Sequence, residues 1–155
     1  MAGTLDIRNF TRRKTPGLPL FTKAAQDVLP GWDISLVFAG ERRAQQLNYA
    51  LRRKEYVPNV LSYEVSEARP KGKSKRNIQR SGEIIICPSV ADKQAAEYGL
   101  TKRENLLYLF IHGLYHLKGL RHGATMERYE RALLARLVST SSSSSLNGTT
   151  HSNRN

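Results

Sequence analysis

Three of the four histidines in this 155-residue chain lie within eleven residues, at His112, His116 and His122. His112 and His116 are four residues apart, so on a helix their imidazoles project from one face, one turn apart. Gly119 lets the chain turn after such a helix, which allows His122 to return to the same point. Three imidazoles with an open fourth position are typical of catalytic zinc, whereas structural zinc sites are closed by four ligands. The spacing therefore predicts one Zn²⁺ ion per chain, held by these three histidines.

The same spacing occurs in metzincin proteases, which read HExxHxxGxxH and use the Glu after the first His as a general base. This chain has Gly113 at that position. A zinc hydrolase that acts on peptides or small molecules is therefore disfavoured, although the histidine spacing alone permits it.

The charge balance favours a polyanionic partner. Lys and Arg number 25 against 13 Asp and Glu, which gives a formal net charge of +12. Clustered cations gain free energy by releasing the counterions of phosphates, so nucleic acid is the favoured partner. One segment, residues 69–80, has six basic residues and no acid: Arg69, Lys71, Lys73, Lys75, Arg76 and Arg80. We predict that this segment contacts phosphate, and the alternative is a solvated surface loop.

Other features of the sequence concern the compartment. No apolar run approaches the ~20 residues that a membrane span requires, and the first ten residues lack the apolar core of a signal peptide. Cys87 is the single cysteine, which excludes an intramolecular disulfide and suits a reducing environment. We therefore expect a cytoplasmic protein with no membrane partner.

The hydrophobic pattern predicts a single α+β domain over residues 1–138. Strands are expected near 4–8, 34–38, 57–65 and 83–87, and helices near 19–29, 41–51, 89–99, 101–119 and 125–138. Ser89 is expected to cap the third helix, and Thr101 with Glu104 forms a capping box before the fourth. Residues 139–155 are Ser-rich and nearly free of large apolar side chains, so we expect a disordered tail.

Several segments together resemble one known family. HGLYHLKGLRH at 112–122 resembles the HGxLHLxGYDH signature of the YbeY family of single-strand endoribonucleases. GEIIIC at 82–87 is similar to that family's GDIVIC strand. Further similar positions are Asn48, Arg52, Lys54, Asn59, Val60, Leu61 and Ser62 upstream, and Met126, Glu127 and Glu130 downstream.

The resemblance implies a four-stranded mixed sheet surrounded by helices, with the metal site on a helix and the turn after it. It also implies cleavage of single-stranded RNA during ribosomal RNA maturation, with a ribosomal subunit as the expected partner and no DNA specifically implied. Arg52 would then contact the scissile phosphate, since a guanidinium matches phosphate oxygens bidentately. Lys54 would contact substrate, and Ser62 would either contact substrate or have a structural role. Whether water or the RNA 2′-hydroxyl attacks is left open.

The sequence departs from the family signature before the third histidine, where Leu120 and Arg121 replace Tyr and Asp. A carboxylate that would orient a ligating histidine is thereby lost. Glu127 or Glu130 could replace it, and the sequence does not decide between them. This departure keeps a second function open, namely a non-catalytic ribosome-assembly factor that uses the metal for folding.

Overall fold

The computed structural model describes residues 3–65 and 79–146, with side chains of the last helix described as far as residue 141. Within this part of the chain, four strands and five helices form one α+β domain, as predicted. The strands are β1 (Leu5–Asn9), β2 (Asp33–Phe38), β3 (Val60–Val65) and β4 (Ser81–Ile86). The helices are α1 (Leu18–Val28), α2 (Glu41–Arg52), α3 (Pro88–Ala95), α4 (Lys102–Lys118) and α5 (Ala124–Leu146).

The sheet has the strand order β1-β2-β4-β3. β1, β2 and β4 are parallel, whereas β3 pairs with β4 in the antiparallel direction, so the sheet is mixed. The continuous apolar run Ile84–Ile86 lies on the central strand β4, where both faces of the sheet are covered, and these three side chains are buried. Strand β3 lies at the end of this strand order, and the candidate site is built beside it.

The two faces of the sheet carry cores of different size. The larger core joins the sheet to α1, α3, α4 and α5, with Phe110 and Leu114 of α4 fully buried. The smaller core lies on the opposite face and consists of Val37, Ala39, Leu61 and Ile85. Leu47 of α2 packs against this smaller core. α2 and α4 therefore lie on opposite faces of the sheet.

The ends of α4 confirm the predicted boundaries. The Thr101 side chain accepts from the Glu104 amide at 3.1 Å, and the Glu104 carboxylate accepts from the Thr101 amide at 2.9 Å. This reciprocal capping box satisfies two amide groups that the helix leaves without partners. Gly119 ends the helix with φ at 103°, a left-handed conformation that favours glycine.

The predicted cap of α3 is wrong. Cys87 occupies the N-cap position and Pro88 begins the helix, where a missing amide hydrogen costs nothing. The Ser89 hydroxyl instead donates to the Glu41 carboxylate of α2 at 2.8 Å. Residue 89 therefore links two helices rather than starting one.

The predicted end of the last helix also differs from the structure. α5 continues eight residues past the expected boundary at 138, to Leu146. Serine is only moderately unfavourable inside a helix, and an established helix adds each further residue at small cost. Residues 139–146 are part of this helix, and residues 147–155 of the expected tail lie outside the described residues. None of the described helices is long and apolar enough to cross a membrane.

Candidate metal centre and RNA-binding groove

The three histidines predicted to bind metal converge. His112 and His116 lie one turn apart near the end of α4, and their Nε2 atoms are 3.1 Å apart. Since Gly119 turns the chain back, His122 reaches the same point from the segment between α4 and α5. One ring nitrogen from each of the three histidines lies within 4.8 Å of the other two.

This arrangement fits a metal ion. Two nitrogens bound to Zn²⁺ at 2.0–2.1 Å in tetrahedral geometry are about 3.3 Å apart, close to the separation of the His112 and His116 nitrogens. Cys87, the single cysteine of the chain, is buried at the end of β4 and does not belong to the cluster. Three imidazoles therefore form a trigonal set that leaves a position for a further ligand.

Glu130 of α5 orients one of these imidazoles. His112 Nδ1 donates to Glu130 Oε1 at 2.8 Å, although the two residues are 18 positions apart in the chain. A proton on Nδ1 leaves the Nε2 lone pair free for a metal. Between the two carboxylates that the sequence left open, the structure thus selects Glu130, which is 2% exposed, whereas Glu127 is exposed.

Tyr108 is a second partner of Glu130, and the sequence analysis missed it. Burial, together with a hydrogen bond to the Glu130 carboxylate, raises the pKa of Tyr108 to about 12. The hydroxyl therefore stays protonated and donates to the carboxylate. Tyr108 lies four residues before His112, so the helical repeat could have indicated that both side chains face the same way.

His116 is held in its neutral form. Burial lowers its pKa to about 4, and the charges of His112, His122 and Arg52 act in the same direction, opposed by Glu130. A neutral imidazole is the form that binds metal, so no proton has to be displaced from this residue at neutral pH.

Arg52 lies in the same groove as the histidines. The groove has a volume of about 580 Å³ and lies between the end of α2, strand β3 and the end of α4. Arg52 is the last residue of α2, and Ser62 lies on the β3 wall with Val60 and Leu61. The three histidines and Leu117 form the opposite wall. The structure thus brings Arg52 and Ser62, both predicted site residues, to the histidines.

The α2–β3 connection that shapes this groove is held by two side chains of α2. The buried Asn48 donates from Nδ2 to the Tyr56 carbonyl at 2.9 Å, and Gln45 donates to the Glu55 carbonyl at 2.6 Å. Arg53 ends the helix in the left-handed region, with φ at 56°. These contacts hold the segment in a defined path after Arg52.

The other predicted substrate contacts are more dispersed. Lys54 is exposed and does not line the groove. Arg80 donates to both carboxylate oxygens of Glu64 at 3.1 Å and lies 4.3 Å from the centre of the Trp32 ring. Glu64 itself lines the groove, so this ion pair offsets the negative charge that Glu64 brings to it. The remaining predicted residues, Arg69, Lys71, Lys73, Lys75 and Arg76, lie outside the described residues.

Gly113, where a metzincin carries its general base, points away from the groove. A Cβ atom built there would lie 2.9 Å from Cγ2 of Ile84 on the central strand. The position therefore faces the sheet, and glycine lets α4 approach β4 closely. No carboxylate could replace Gly113 without displacing Ile84.

Taken together, the fold and the site define an α+β protein with a candidate metal centre of three histidines. This centre lies in an open groove that is also lined by an arginine. Sequence comparison assigns the family. The family model described as endoribonuclease YbeY matches residues 11–138, and the chain belongs to the YbeY family. The resemblance drawn from the motifs is thereby confirmed.

Individual relatives agree with this assignment. A protein of Xylella fastidiosa named endoribonuclease YbeY is 33% identical across 81% of this chain and 83% of its own length. A protein of the same name from Neisseria meningitidis serogroup B is 40% identical across 58% of this chain and 53% of its own length. A solution structure from Thermotoga maritima covers 97% of this chain with a TM-score of 0.57 and 18% identity, which supports the fold.

Proposed function

We propose that this protein is a metal-dependent endoribonuclease that cleaves single-stranded RNA during ribosomal RNA maturation. The observation that carries the proposal is that Arg52 and the His112–His116–His122 cluster line one groove in a chain of the YbeY family. Because the proposed substrate is a ribosomal RNA precursor, we place its action at a ribosomal subunit in the cytoplasm.

The histidines would hold one Zn²⁺ ion per chain. When bound, the ion supplies Lewis-acid polarisation and lowers the pKa of a water ligand. Glu130 keeps His112 in the required tautomer, and the low pKa of His116 keeps its imidazole neutral.

Arg52 would bind the scissile phosphate from the other side of the groove. Its guanidinium offers planar paired donors that match two phosphate oxygens, and it stays charged throughout the working pH range. The guanidinium would then stabilise the negative charge that develops on those phosphate oxygens when the RNA backbone is cleaved. Ser62 on the β3 wall offers a hydroxyl to the same strand of RNA, and Lys54 adds positive charge beyond the groove.

The test is cleavage of an unstructured RNA by purified protein, with metal content measured on the same sample. Chelator-treated protein should lose cleavage and regain it with Zn²⁺. Arg52→Lys keeps the charge but loses the paired donors, so turnover should fall about 100-fold, the usual effect of losing one such donor, with metal content unchanged. Arg136→Lys, in an ion pair with Asp27 remote from the groove, is the matched control.

Two results would overturn the proposal. One is undiminished cleavage by metal-stripped protein, and the other is full turnover by Arg52→Lys. Protein that binds metal and RNA without cleaving would instead support the non-catalytic assembly factor.

A further inference from the structure

The outward side of α2, on the opposite side of the sheet from α4, carries several arginines and the ring of Tyr49. The ring of Phe10, which follows β1, packs against Arg43 of this helix. Phe10 is 52% exposed and Tyr49 is 50% exposed, so both rings are open to solvent. The Arg43 guanidinium lies 4.1 Å from the centre of the Phe10 ring, and that of Arg53 lies 5.4 Å from the Tyr49 ring. A guanidinium group therefore lies beside each of the two aromatic rings.

Beside the Phe10 ring lies a shallow groove of about 880 Å³, to which Phe10, Arg42 and Arg43 contribute. Among the described residues that line it, the one acidic side chain is Glu41, which is already engaged by the Ser89 hydroxyl at 2.8 Å and by Lys93 at 3.6 Å. The groove therefore presents net positive charge along an apolar floor that includes Leu47 and Ala50.

The C-terminal end of α2 adjoins the histidine groove. Arg52 lines that groove, and the next residue, Arg53, lies over Tyr49 on the outside of α2. From Arg53 to Arg43 is ten residues of helix, or about 15 Å, a distance that a few nucleotides can cover. A strand that continued from Arg52 along α2 would meet Tyr49 first and Phe10 at the far end.

We infer that the Phe10–Tyr49 face of α2 binds the single-stranded RNA that flanks the cleavage site, with bases stacked on the two rings and phosphates on Arg42, Arg43 and Arg53. Aromatic rings beside a cationic track are the usual means of holding single strands without reading their sequence. The net positive charge of the groove favours a polyanion over a neutral protein surface. The inference rests on the proposed function for the identity of the RNA, but binding is measurable without cleavage.

The experiment compares two fluorescent unstructured RNAs, one of about 3 and one of about 20 nucleotides, lengths that bracket the ~4–16 nucleotides of common single-strand sites. In Phe10→Leu/Tyr49→Ala, affinity for the long RNA, measured by fluorescence anisotropy, should fall at least tenfold. Loss of one stacked base alone typically costs about fivefold or more. Affinity for the short RNA and its cleavage should stay within about twofold of wild type, because that RNA fills only the histidine groove. Tyr49→Phe keeps the ring and should bind like wild type.

A second experiment tests whether the arginines of α2 contact RNA phosphates. Arg43→Gln/Arg53→Gln should lower the salt dependence of long-RNA binding by about 1.4 in the slope of log affinity against log salt. Lys23→Gln/Lys102→Gln removes the same number of charges from α1 and α4 and should leave that slope nearly unchanged.

Equal losses for both RNA lengths, or a control variant that loses as much as the α2 variant, would overturn the inference. Unchanged long-RNA binding by both α2 variants would do the same. If wild type binds the long RNA through α2 but cuts neither RNA, the proposed endoribonuclease fails and the binding face stands.

Discussion

The carboxylate of Glu130 accepts a hydrogen bond from His112 Nδ1 at 2.8 Å, which joins the second turn of α5 to the side of α4 that carries the histidines. Tyr108 donates to the same carboxylate from one turn earlier on α4. The buried carboxylate is therefore satisfied by two donors, one of which is an imidazole of the candidate metal centre, and the contact fixes the tautomer of that imidazole. Glu130 therefore contributes both to the packing of α5 against α4 and to the orientation of His112 in the site.

The Glu130→Gln variant should lower zinc affinity about 10- to 100-fold, because removal of such a carboxylate partner usually has this effect. The measurement is competition with a chromophoric chelator at fixed pH. Glu127→Gln, one turn earlier on α5 and exposed, is the matched control and should retain wild-type affinity. Equal losses in the two variants would mean that total negative charge, rather than the His112 contact, sets the affinity.

The Gly113→Ala variant should destabilise the fold although alanine favours helices. Its Cβ would lie 2.9 Å from Ile84 Cγ2, and overpacking of this kind costs about 1–3 kcal/mol. Alanine regains at most about 1 kcal/mol through helix propensity. Urea denaturation should therefore show a net loss on the order of 1 kcal/mol.

A double variant isolates the steric cause. Ile84→Ala removes all three side-chain atoms that the added Cβ would meet, so Gly113→Ala should cost less in that background than in wild type. Additive effects of the two substitutions would contradict the contact.

Tyr63 should make stability fall in alkaline solution. Burial and a hydrogen bond to Glu83, its register partner on β4, raise the pKa of Tyr63 to about 12. The unfolded chain loses this proton near its ordinary pKa of 10.0, whereas the folded chain holds it to about pH 12, so stability is present below pH 10.0 and is lost between these values. In Tyr63→Phe, the free energy of unfolding should decline less steeply across this interval. Identical slopes for both proteins would refute the assignment.

The basic segment 69–80 is predicted to contact RNA phosphates. Replacement of Lys71, Lys73, Lys75 and Arg76 by Gln should lower the slope of log affinity against log salt by up to about 2.8, since each phosphate contact on single strands contributes about 0.7. Bound zinc, measured on the same samples, should not change. An unaltered slope would indicate a solvated loop that makes no RNA contact.

Much of this protein could be predicted from local patterns. The α4 boundaries follow from Thr101, Glu104 and Gly119, because caps depend on residues a few positions apart. The convergence of His112, His116 and His122 could be predicted for the same reason, since one helical turn and one glycine turn bring them together. The central position of β4 was indicated by its unbroken apolar run, which a strand covered on both faces requires.

Contacts between residues that are far apart in the sequence could be identified only from the folded structure. The sequence left Glu127 and Glu130 equivalent, and the packing of α5 on α4 selected Glu130. Ser89 has the right chemistry for a helix cap, but α3 begins at Pro88, so Ser89 lies inside the helix. Its hydroxyl donates to Glu41 instead. Arg80 belonged to a uniformly basic segment in the sequence, yet strand pairing places it against Glu64 and Trp32. Caps and helical spacing depend on backbone geometry within one or two turns, so the sequence predicts them. The partners of Glu130, Ser89 and Arg80 depend on which helices and strands pack together, and that packing is set by the whole chain.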